Sequence, residues 1–122
     1  MQEEFQDWIK ESEENLSTAK LLYENEKYKD AAYYSHQVTE KALKAVQILK
    51  LKRFDMVHDL VQLAKSVKAP KEILKCSEDL TKYYISGKYP VENRTIPDEE
   101  EAQKALDQAE KVLEWAKLTL KL

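Results

Sequence analysis

The chain has 122 residues, 20 Lys and Arg against 23 Asp and Glu, one Gly, three Pro and one Cys. That length suits one domain and is too short for two ordinary ones, and the scarcity of Gly and Pro leaves little to punctuate β-turns. A lone Cys76 excludes an intramolecular disulfide, a single Gly excludes a P-loop or dinucleotide fingerprint, and no window approaches the roughly 18 consecutive apolar residues of a membrane span.

Long helices joined by short loops are therefore expected, in one domain spanning residues 1–122. The charged amino end, MQEEFQDW, does not read as a signal peptide, so a soluble cytoplasmic protein is expected. The net charge of −3 hides an asymmetry. Residues 41–75 carry nine Lys or Arg against Asp55, Asp59 and Glu72, so this stretch stands at +6 and the remainder at −9. Such a middle is either solvated helix surface or a patch that attracts phosphate.

Residues 2–25 predict the first helix. Phe5, Trp8, Ile9, Ser12, Leu16, Ala19 and Tyr23 keep a helical step, and acidic residues open it at the positive end of its dipole. A short polar connection at 25–28 turns the second helix, 29–51, back antiparallel. Its apolar stripe is Ala32, Ser35, Val38, Ala42, Ala45, Val46 and Leu49; the small residues early in it allow close approach, which places this helix at the centre of a bundle.

A second stripe on the same helix, Tyr33, His36, Gln37, Glu40, Lys41 and Lys44, carries more hydrogen-bonding chemistry than a solvated face requires, although Glu40–Lys44 is also an ordinary i,i+4 pair. Asp55 is expected to cap a short third helix ending near Val67, with Leu60, Leu63, Ala64 and Val67 inward. Pro70 marks a new start. The fourth helix is expected over 70–86 with Ile73, Leu74, Ser77, Leu80, Tyr84 and Cys76 inward, and Gly87 just past its end. After an irregular loop, 88–97, Thr95 is expected to cap a final helix with Pro97 and an acidic first turn, burying Ala102, Ala105, Leu106, Ala109, Val112, Leu113, Ala116 and Leu120.

The run Ala32–Tyr33, His36–Gln37, Glu40–Lys41 and Leu43–Lys44–Ala45, followed by His58–Asp59–Leu60 and Lys88–Tyr89–Pro90, resembles the HEPN family of small helical domains. The resemblance implies an all-α, five-helix up-and-down bundle of four long helices and one short one. It also implies a homodimer that binds a nucleotide or nucleic-acid phosphate, working beside a separately encoded minimal nucleotidyltransferase in a toxin–antitoxin pair. The ligand-contacting residues would be His36, Gln37, Glu40, Lys41, Lys44, Asp59, Lys88 and Tyr89; Lys88 stands where many relatives have Arg.

Arg53 and His58 match the Arg-x4–6-His signature of HEPN ribonucleases, with Phe54 where a small polar residue is usual. Arg53 and His58 are thus catalytic candidates for a metal-independent endoribonuclease whose site forms across a dimer: the imidazole moves a proton and the guanidinium stabilises phosphorane-like charge. A purely structural assembly module is the third alternative. No metal or cofactor is expected, since His36, His58 and Cys76 lack zinc spacing and no Glu-x-x-His occurs.

Overall fold

The structure is a computed structural model describing residues 2–88 and 96–122, with side chains over 4–85 and 96–122. Six helical segments follow one another: α1 Gln2–Glu24, α2 Tyr28–Leu51, α3 Leu60–Ser66, α4 Lys71–Leu80, α5 Tyr83–Lys88 and α6 Glu99–Leu120. No strand occurs among the described residues. The all-α bundle expected from the sequence is borne out, with the predicted fourth helix in two pieces, α4 and α5.

Helix α2 packs against all five others. Small residues make that possible: Ser12 and Ala19 of α1, and Ala31, Ala32 and Ser35 of α2, are all completely buried. The Ser12 hydroxyl donates to the Val38 carbonyl across the interface at 2.7 Å, a contact that needs the helices close together. The predicted apolar stripe of α2 is buried except for Leu49, which is half-buried at the edge. All eight residues named for the last helix are buried, and Trp115 lies half-buried at the border. Cys76 is a buried thiol whose pKa burial pushes up, as suits a small core residue.

The helix ends differ from expectation where several candidate caps compete. Asp59, not Asp55, caps α3 by accepting from Gln62 N, because Asp55 is held elsewhere. Asp98 caps α6 in a capping box with Glu101, so Pro97 precedes the helix; Thr95 lies outside the described residues. Gly87 lies within α5 instead of terminating a helix.

The fourth helix is interrupted at residues 81–82. The Ser77 and Thr81 hydroxyls donate to the carbonyls of Ile73 and Ser77 at 2.9 and 2.7 Å just before it, a back-bonding that Ser35 and Thr39 also make within the unbroken α2. The chain turns at 81–82 and resumes as α5 against α2, so that Tyr83 is buried and Tyr84 is carried to the polar stripe of α2.

With one Gly in the chain, left-handed positions fall to charged residues: Glu26, Lys52, Lys68 and Lys121 all have φ between 55° and 62°. Each bears a Cβ penalty of about 1–2 kcal/mol. Replacing Lys68 by Gly should therefore raise stability by about 0.5–1 kcal/mol after the added unfolded-state entropy of Gly is deducted, measurable as a higher urea midpoint. An unchanged or lower midpoint would rule out strain at that turn.

Candidate functional site

The polar stripe of α2 is divided: His36, Glu40 and Lys44 are buried, while Tyr33, Gln37 and Lys41 are half-buried. Gln47, which the predicted stripe does not include, follows at the next helical step and is buried too. An unpaired charge in such a place would cost several kcal/mol, so the arrangement of partners is the first question. Glu40 collects them. Its Oε2 accepts from Lys44 Nζ at 2.9 Å, its Oε1 accepts from His58 Nδ1 at 2.9 Å, and His36 Nδ1 stands 3.9 Å from that same Oε1. Lys44 Nζ also lies 5.6 Å from the centroid of the Trp8 ring, which closes the stripe from α1.

His58 is the exposed member, with 52% of its side chain open to solvent. A carboxylate only accepts, so Nδ1 of His58 carries the proton; in the neutral ring Nε2 is then a lone pair on the open side. The ring stacks on Tyr84 at 4.6 Å and 18°, and Tyr84 also meets His36 at 5.3 Å and Tyr33 at 6.3 Å. One tyrosine from α5 thus spans the buried and the exposed histidine.

His36 donates from Nδ1 to Gln37 Oε1 at 3.2 Å, and its Nε2 meets no hydrogen-bond partner among the described residues. Burial holds its pKa below the ordinary value; the Glu40 carboxylate and the Gln37 bond pull it up, and the His58 ring opposes them. Unfolding returns the ring to its ordinary value near 6.5, so below that pH the unfolded chain takes up a proton that the folded chain refuses. Stability should accordingly be lost as pH falls below about 6.5, by up to roughly 1.4 kcal/mol per pH unit from this group, and His36→Gln should flatten the slope. Urea unfolding between pH 5 and 8 checks this; equal slopes in both proteins would exonerate His36.

The remaining predicted residues are distributed unevenly. Lys41 points to α1, where it pairs with Glu11 at 3.1 Å, and Asp59 is spent on the α3 cap. Lys88 ends α5, its side chain outside the described residues together with Tyr89. Arg53 is exposed and donates from Nε to Asp55 Oδ1 at 3.2 Å. The basic stretch is in part neutralised, since Lys41, Lys44, Arg53 and Lys75 all pair with carboxylates.

Four contributors were not legible as site residues. Tyr84 reads as core by spacing, and Trp8 reads as ordinary bundle packing; Gln47 and Asp55 have no local signal, because they meet only through the loop. The Gln47 carboxamide accepts from Asp55 N at 2.9 Å and donates to Asp55 Oδ2 at 3.0 Å. Phe54 packs edge-on to Trp8 with centroids 5.0 Å apart, anchoring the same loop to α1.

A hollow of about 670 Å³ lies elsewhere, between Tyr23 and the start of α6. Its four carboxylates, Asp98, Glu99, Glu100 and Asp107, outweigh Lys104 and would repel a phosphate; the α6 dipole and cap account for the first three. The histidine cluster is therefore the better candidate for a phosphate. Among the described residues no group of three or more His, Cys, Asp or Glu could hold a metal, and no helix is long and apolar enough to cross a membrane.

Comparison with known proteins places this geometry in context. The family model for the HEPN domain matches residues 5–119. The protein named "Putative toxin MJ1304" from Methanocaldococcus jannaschii is 31% identical over an alignment covering 93% of this chain and 86% of the relative. Two crystal structures are similar over nearly the whole chain. TT1696 from Thermus thermophilus has a TM-score of 0.83 at 26% identity, covering 93% of this chain and 95% of the other. ST0689, an archaeal HEPN homologue, has a TM-score of 0.81 at 27% identity, covering 95% and 97%.

Proposed function

The chain belongs to the HEPN family, and from that premise we propose that it is the HEPN member of a toxin–antitoxin pair, a homodimer that binds the phosphate of a nucleotide or nucleic acid at the His58 cluster. The observation that carries this reading is the buried Glu40 carboxylate holding a half-exposed His58 in one tautomer against Tyr84. A buried ion pair and an imidazole stack are more than the bundle needs for packing. They set an aromatic face and a nitrogen at the surface, with Arg53 leaving the same 52–59 connection. The toxin name of the archaeal relative supports the pairing, and a minimal nucleotidyltransferase is the partner expected of such a module.

Calorimetric titration with ATP, and separately with a ten-nucleotide single-stranded RNA, tests the binding. Saturable heat that weakens in Arg53→Ala supports it and shows which phosphate source is preferred; no heat with either probe would sink it. Light scattering on the same preparation tests the dimer.

A second reading has its own observation in favour. A histidine oriented by a carboxylate, with the opposite nitrogen open, is the arrangement of a general base, so Arg53 and His58 could support metal-independent RNA cleavage. Incubation of a structured RNA with the protein in chelator decides this: cleavage lost in His58→Ala supports it, and cleavage retained in that variant removes it.

A further inference from the structure

We propose that Gln47 and Asp55 are positioning residues for Arg53, presetting its guanidinium for a phosphate group; this rests on the phosphate-binding reading above. Gln47 lies two turns beyond Glu40 on the same buried stripe of α2, about 10 Å along the axis. Leu would complete a bundle core there at no polar cost. The carboxamide instead makes three hydrogen bonds, and none of its partners belongs to the α2 core: it accepts from Asp55 N and donates to Asp55 Oδ2 and, at 2.8 Å, to Ser66 Oγ. Ser66 is itself fixed by donating to Leu63 O at 2.7 Å.

Asp55 is thereby gripped at its backbone and at one carboxylate oxygen, so it cannot turn away. Its other oxygen, Oδ1, faces Arg53 Nε at 3.2 Å. An exposed ion pair is usually worth little because both side chains must be ordered to make it. Here the carboxylate has been ordered in advance. Arg53 is engaged along one edge by Nε, and neither terminal amino group has a partner among the described residues, although 57% of the side chain is exposed. Those two amino groups are the pair that engages phosphate oxygens. The connection from α2 to α3 is thus pinned twice to one stripe of α2: Glu40 holds His58 and Gln47, through Asp55, holds Arg53.

The test uses the full chain with Gln47→Leu and Asp55→Asn; the second keeps the bulk and the Gln47 contact, so it covers loss of folding in the first. In wild type the Arg53 Nε–H should give a protected nitrogen–proton resonance, lost to solvent exchange in both variants. Each variant should bind the ten-nucleotide RNA about 3–10-fold more weakly, the cost of ordering one long side chain at binding, and neither should weaken binding further in an Arg53→Ala background. An Arg53 resonance unchanged in both variants, or equal weakening with and without Arg53, would overturn the proposal. If wild type fails to bind the RNA, the phosphate-binding reading fails by itself, and the Arg53 resonance still decides whether Gln47 and Asp55 hold the guanidinium.

Discussion

Replacing Glu40 by Ala should lower the free energy of unfolding by about 3–5 kcal/mol, a loss typical of a buried pair deprived of one partner. The reason lies in what remains: Lys44 Nζ stays buried beneath Trp8 with no carboxylate at 2.9 Å, and His58 Nδ1 loses its acceptor. If stranded charge is the cause, removing both charges should undo it. Glu40→Leu combined with Lys44→Met is expected to return to within about 1–2 kcal/mol of wild type, because an apolar pair of similar volume replaces the ion pair without a desolvation cost. Ligand binding should stay impaired in the double variant, since nothing then orients His58. Urea unfolding followed by circular dichroism measures the first effect and RNA titration the second. A double variant as unstable as the single one would show that Glu40 matters for shape and not for charge.

His58→Ala should have the opposite profile. The ring is half-exposed, and water can reach the Glu40 oxygen it vacates, so stability should fall by only about 1 kcal/mol. Binding of the ten-nucleotide RNA should fall about 10–100-fold, the range for losing one hydrogen bond to a charged group at a partly desolvated site together with the stacked ring. Separate measurement of melting and affinity distinguishes this from general damage. A variant that binds as wild type does would move the site away from the histidine cluster.

Much of the bundle was legible because each long helix carries a stripe that only one arrangement buries. The small residues of α2 announced its central place, and the alanines of α6 fell inward without exception. What was less legible followed from enclosure. The polar stripe of α2 reads on paper as one chemically loaded side of a helix, whereas the packing of α2 against its neighbours puts His36, Glu40 and Lys44, together with Gln47, inside. Periodicity cannot distinguish a buried polar stripe from an exposed one; that depends on partners such as Trp8 and Tyr84, supplied from distant segments. The same dependence explains the exchange of roles between Tyr83 and Tyr84. They are adjacent, and the interruption at 81–82, which spacing does not reveal, decides which turns inward. Asp55 is the expected cap of α3, but Gln47 holds it and Asp59 takes that place.

The central placement of α2 also sets an order of events during synthesis. Residues 2–51 emerge first and can close as a hairpin, with Ser12 on Val38 and Trp8 over Lys44. At that stage the loop bearing Phe54, Asp55 and His58 and the helix bearing Tyr84 are still to come, so Glu40 and Gln47 keep their water. Their desolvation is deferred until the chain through residue 84 has left the ribosome and supplied both the loop contacts and the aromatic cover. A nascent chain with only residues 2–51 clear of the ribosome would hold the α1–α2 hairpin with Glu40 and Gln47 still in water. The histidine cluster is thus among the last parts of the bundle to be assembled, completed only once residue 84 is clear of the ribosome.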